Sequence, residues 1–147
     1  MKISDFLSPT EALVSARASS KQQLLEQLAK KAAVKLKLPE DNILSELLKR
    51  EALGSTGMGN GVAIPHARFQ SIKKPFGIIA KLKQPIDFNA IDGQPVDVVF
   101  LLLLPTVAEG EQLGALACVA RKLSAPDDLV QLRRAKSTPE LYATLTG

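Results

Sequence analysis

Between Leu24 and Leu36 apolar side chains return every three or four positions, at Leu24, Leu25, Leu28, Ala29, Ala32, Ala33 and Leu36. That spacing lines one face of an α-helix and predicts a helix from Ser19 or Ser20 to Lys37, with a serine as its N-cap. Leu38-Pro39-Glu40-Asp41 breaks the pattern. A second helix is predicted from about Asp41 to Leu53, with Ile43, Leu44, Leu47 and Leu48 on its apolar side and Gly54 ending it. The period then changes. Phe76 to Leu82 reads as a strand, as does Val96 to Leu104, which is apolar nearly throughout, as expected of a strand covered on both faces. Gln84-Pro85 and Asp92-Gly93 between them are turn pairs. Helical spacing resumes from Glu111 to Ser124, with Leu113, Leu116, Ala117, Ala120 and Leu123 on one side. Ser124-Ala125-Pro126-Asp127 and Ser137-Thr138-Pro139-Glu140 look like helix starts, a hydroxyl cap ahead of proline. The order helix–helix–strand–strand–strand–helix–helix–helix predicts a mixed α/β fold, and the absence of a linker predicts one domain over residues 1–147.

Composition narrows the functional classes. At 147 residues, with 46% apolar and 23% charged residues, the chain suits one domain with a well-formed core. The apolar run from Val98 to Leu104 is far short of a membrane span, and the N-terminus lacks a signal-type stretch, so a cytoplasmic address is expected. One cysteine, Cys118, makes no internal disulfide, and no Cys/His cluster suits a metal. The net charge of +4 is scattered and aromatic residues are 4% of the chain, which argues against a nucleic-acid partner.

The chemistry concentrates in residues 54–66, Gly-Ser-Thr-Gly-Met-Gly-Asn-Gly-Val-Ala-Ile-Pro-His, a glycine-dense loop that leads into a short apolar strand, the first of the three, with His66 at its end. A glycine-dense loop lets backbone amides approach an anion, and Ser55 and Thr56 add hydroxyls; it equally serves as a tight turn. It is no P-loop, because Asn60-Gly61 stands where Lys-Ser/Thr would bind phosphate and magnesium. It is no dinucleotide fingerprint either, since the third glycine is misplaced and the loop follows a helix. His66, the only histidine, sits at the loop's exit behind Pro65. A neutral imidazole is a good nucleophile near neutral pH, though a lone histidine is also commonly just hydrogen-bonded. Arg50 and Glu51 precede the loop, with Glu51 on the apolar side of the helix. They read as a helix-end ion pair or as an anion-neutralising arginine held by a carboxylate, and spacing alone leaves both open.

The run from Arg50 to His66 resembles the active-site segment of EIIA domains of the fructose/mannitol class of the bacterial phosphotransferase system, most of all the nitrogen-regulatory type. Pro85-Ile86-Asp87-Phe88-Asn89-Ala90-Ile91-Asp92-Gly93-Gln94-Pro95-Val96-Asp97 is similar to a second typical stretch, and Leu116 to Leu123 and Glu140-Leu141-Tyr142 also fit. The resemblance implies a mixed sheet of about five strands with helices on both faces. It implies a phosphoryl carrier with no cofactor, rather than a free-standing catalyst. His66 would take the phosphoryl group from the phosphohistidine of an HPr-like protein, NPr, with Arg50 stabilising it. Ser55, Thr56 and Glu51 would belong to the phosphate pocket. The output would be control of partners such as transporters or sensor kinases. The alternatives are a sugar-specific component that feeds a separate EIIB, and an interaction module that has lost phosphotransfer. Members of the family commonly carry a second histidine facing the first; here the aligned position is Gly114, with Gln112 as a neutral donor nearby. A docking protein must reach His66, so an apolar rim is expected, with Met58 and Ile64 as its candidates.

Overall fold

The computed structural model describes residues 1–106 and 114–147. Its elements are β1 (Ala12–Ala16), α1 (Lys21–Leu36), α2 (Glu40–Ala52), β2 (Gly57–Gly59), β3 (Val62–Ala63), β4 (His66–Phe69), β5 (Phe76–Ile86), β6 (Val96–Pro105), α3 (Ala115–Ser124), α4 (Pro126–Arg134) and α5 (Thr138–Thr146). The helix termini follow local chemistry. The Ser20 hydroxyl accepts the Gln23 N–H at the start of α1, and Lys37 closes it in the left-handed region at φ 57°. In α2, Glu40 and Asp41 lie in the first turn and Lys49 and Arg50 in the last, each favourable to the helix dipole. Ser137 caps α5 as expected. Ser124 does not cap α4: its hydroxyl donates back to the Ala120 carbonyl at 2.6 Å, and Ala125 takes the N-cap place before Pro126.

One six-stranded mixed sheet runs β1-β5-β6-β3-β2, with β4 also paired to β6. β6 is its axis. It runs antiparallel to β5, and on its other side parallel to β3 at Val62↔Val98 and to β4 at His66↔Leu102. The unbroken apolar run of β6 is explained by its parity. Val99, Leu101 and Leu103 pack with Leu24, Leu28, Ile43 and Leu47 of α1 and α2. Val98, Phe100, Leu102 and Leu104 pack with Val119, Leu132 and Leu141 of α3, α4 and α5. Helices therefore cover both faces.

The six strands agree with the sheet of about five that the resemblance implied; the apolar pattern alone gave three because β1, β2 and β4 are too short or too polar to stand out. β5 also runs on through Gln84-Pro85, which falls at an irregularity in register between Lys81 and Ile86, where a proline is tolerated. The start of the helix expected from Glu111 lies outside the described residues, and Gln112 with it. No helix among the described residues is long and apolar enough to cross a membrane.

Candidate functional site

His66 opens β4, where the sheet lays it alongside Leu102 of β6. Its ring is half-buried, and Nδ1 lies 2.8 Å from the Ile64 carbonyl oxygen. A carbonyl only accepts, so Nδ1 carries the proton and Nε2 keeps its lone pair free. Burial, first of all, holds the imidazole below its ordinary pKa. The Arg50 and Arg68 guanidiniums push the same way, against the opposing influence of the Ile64 carbonyl and Glu51. The ring is thus neutral at physiological pH, with Nε2 unprotonated.

The backbone around His66 is fixed by cross-links. Pro65 O accepts the Leu102 N–H at 2.9 Å, and Ile64 N–H donates to Thr56 O at 3.1 Å, closing the glycine loop across its base. Gly61 is required at its position: φ is +79°, and a Cβ would lie 2.5 Å from Arg133 Nη2. That Arg133 of α4 clamps the loop tip, donating to Asn60 O and to Asp97. Gly57 has no room for a side chain against Ala90, whose Cα would stand 2.8 Å from it.

Arg50 sits in the last turn of α2 and donates from Nη1 to Gly54 O at 2.9 Å. That bond pins the mouth of the loop, and the guanidinium's positive charge acts on His66. Glu51 faces inward, as its place on the helix indicated, with its side chain 5% exposed. Its carboxylate accepts the Thr56 N–H at 3.0 Å and the Thr56 hydroxyl at 2.5 Å. The Ser55 hydroxyl donates to Phe88 O at 2.6 Å and accepts from Gly57 N–H at 3.0 Å. Both hydroxyls are engaged in shaping the loop. The groups that act on His66 from outside the loop are the charges of Arg50, Glu51 and Arg68.

Arg68, which sequence reasoning did not single out, adds a charge near the site, with Nη1 donating to Pro105 O at 3.2 Å. It lies two positions beyond His66 on β4, on the same side of the strand, and its charge acts on the ring. The sequence predicts a short apolar strand reaching His66, whereas β4 runs on from His66 to Phe69 and carries Arg68 with it. Ile64 needs correction. As an inward-facing residue beside β3 it is only 2% exposed, packed among the apolar residues under α3–α5, and it offers its carbonyl rather than a docking surface. Met58 is exposed, and the large apolar residues bared on the segments that frame the loop include Leu53 (85%) and Ile91 (87%). Gly114 stands at the N-cap of α3, so the described residues bring no second imidazole to His66.

A half-buried neutral histidine at the exit of a glycine loop, under the charge of Arg50 and Arg68 and on a mixed sheet covered by helices, marks an EIIA-type domain. The sequence matches the family described as phosphoenolpyruvate-dependent sugar phosphotransferase system, EIIA 2, over residues 5–147, and the chain belongs to that family. It is 43% identical over 145 residues to a nitrogen regulatory protein of Bradyrhizobium diazoefficiens, covering 99% of this chain and 95% of that one. It is 40% identical to a nitrogen regulatory protein of Pseudomonas aeruginosa, covering 97% and 93%. Among solved structures, the nitrogen regulatory protein IIA-Ntr of Neisseria meningitidis superposes with a TM-score of 0.92 at 35% identity, over 98% of this chain and 99% of that one. Enzyme IIA mannitol of Escherichia coli, solved in complex with phosphorylated enzyme IIB mannitol, shares the fold, with a TM-score of 0.75 at 16% identity over 92% and 93%.

Proposed function

We propose that the chain is a nitrogen-type regulatory phosphoryl carrier, working as one unit in the cytoplasm, in which His66 accepts a phosphoryl group on Nε2. The donor is the phosphohistidine of an HPr-like protein, NPr. The Nε2–P bond forms as the donor N–P bond breaks, and the donor ring recovers its lone pair. The His66 Nδ1 proton stays on its bond to Ile64 O, so no proton moves. Such a loose transfer asks for in-line placement and for positive charge around the equatorial oxygens. Arg50 and Arg68 supply that charge. Ser55, Thr56 and Glu51 hold the pocket rather than touch the anion. The observation that carries the reading is the free Nε2 of a neutral ring whose other nitrogen is occupied.

The new dianion changes the charge of a surface whose framing segments bare Leu53, Met58 and Ile91, and so changes what that surface binds. This is the route by which phosphorylation would control partners such as transporters or sensor kinases. The test is incubation with phosphoenolpyruvate, enzyme I and NPr, read by intact mass. One added phosphoryl group in the wild type and none in His66→Ala is the expected result. No gain in either protein overturns the carrier reading in favour of an inert interaction module. Passage onward to a separate EIIB would reassign the protein to sugar uptake.

A further inference from the structure

Lys21, the first residue of α1, is distant in sequence from the glycine loop, yet its ammonium meets Glu51 at 2.9 Å. The two side chains are 18% and 5% exposed, so the pair is largely withdrawn from water. The same Nζ donates to Phe88 O at 3.4 Å and stands 4.6 Å from the centroid of the Phe88 ring. Phe88 O is also the acceptor of the Ser55 hydroxyl. One ammonium therefore joins the start of α1, the end of α2, the loop around Phe88 and, through Glu51, the glycine loop. Lys21 is the counter-charge of this enclosed carboxylate.

A continuous chain of bonds leads from this node to the histidine. Lys21 holds Glu51, Glu51 accepts twice from Thr56, Thr56 O accepts the Ile64 N–H at 3.1 Å, and Ile64 O accepts His66 Nδ1–H at 2.8 Å. Charge follows the same path. The groups acting on the His66 ring are Arg50 and Glu51 from α2 and Arg68 from β4. Glu51 is the only one of the three that would repel an incoming dianion, and Lys21 is the cation bonded to it. We propose that Lys21 is a positioning residue for His66, acting through Glu51, Thr56 and Ile64 to hold the ring and offset the Glu51 carboxylate. The proposal rests on His66 being the phosphoryl acceptor.

The test follows the His66 ring by NMR titration in the full chain, as wild type, Lys21→Met and Lys21→Arg. Acceptance from pre-phosphorylated NPr is measured alongside. In Lys21→Met, Thr56 still donates two bonds to Glu51, which keeps its charge, now without its counter-ion. The His66 midpoint is expected to rise, and the turnover rate to fall roughly tenfold or more with the KM for the carrier little changed. Lys21→Arg restores both. A folded Lys21→Met whose His66 midpoint matches the wild type overturns the proposal, whether or not its rate falls. If Lys21→Met does not fold, Lys21→Gln, which keeps a donor for Phe88 O without the charge, is judged by the same midpoint. The titration needs no phosphoryl donor. A wild type that takes no phosphoryl group therefore overturns the acceptor reading, while a moved midpoint still upholds the link from Lys21 to the ring.

Discussion

His66 Nδ1 and the Ile64 carbonyl oxygen are 2.8 Å apart, two residues separated in sequence by a proline and joined in space by one hydrogen bond. The Ile64 carbonyl takes the ring N–H, while the next carbonyl along, that of Pro65, takes the Leu102 N–H. The bond therefore belongs to the ring. It decides which nitrogen reacts, and phosphorylation is expected on Nε2. Nitrogen-15 shifts of the phosphorylated protein check this, and a phosphoryl group on Nδ1 would contradict it.

The same ring sets a pH window. Because burial and the two arginines depress its pKa in the folded state, the unfolded chain binds the proton more readily. The stability His66 contributes is complete above its ordinary pKa of about 6.5 and is lost as pH falls through the depressed value. Stability between pH 7 and pH 5, measured by denaturant unfolding, should decline less in His66→Asn than in wild type. Glu11 acts lower. Burial pulls its carboxyl upward, but the Ser8 and Thr10 hydroxyls and Lys35 outweigh that, so its contribution is lost only in the carboxylate range.

Arg50→Ala removes the cation at the mouth of the loop together with its bond to Gly54 O. The expected loss in the rate of phosphoryl acceptance is on the order of 100-fold, the scale seen when one charge-stabilising donor is removed. Arg50→Lys keeps the charge and loses the fork, so it should recover part of the rate. Single-turnover assays with phosphorylated carrier measure both.

Leu53 and Ile91 are bared to solvent while the core beneath them is closed. Leu53→Asp combined with Ile91→Asp should weaken carrier docking roughly tenfold, seen as a raised KM with turnover preserved. Stability should change by no more than about 0.5 kcal/mol, as for other surface substitutions. Ile64→Asp at its 2% exposed site should instead unfold the protein.

Gly61→Ala tests the loop clamp. A positive φ and a guanidinium 2.5 Å from the new methyl leave no relaxed position, and the strain is worth about 1–3 kcal/mol before Arg133 moves. Denaturant unfolding should show at least that loss. Arg133→Ala should recover part of it by vacating the space.

Much of this protein is legible in its residues taken one after another. The period of Leu24 to Leu36, the caps at Ser20 and Ser137, and the apolar run of β6 are local facts, and they were sufficient for the helices, the central strand and the α/β class. The glycines, Pro65 and His66 marked the site because their chemistry travels with the residue type. What the order of residues left undecided depends on which segments meet. β1 and β4 are short and carry too little apolar pattern to announce themselves; they are strands because β5 and β6 supply hydrogen-bond partners. Ile64 looked like a rim residue by position and is core because β3 packs beneath α3–α5. Glu51 finds its counter-ion in Lys21, which α1 brings to it from thirty positions away. Periodicity and residue chemistry are properties of the chain itself, but burial, tautomer and the pairing of charges arise only when distant parts of it exclude water together.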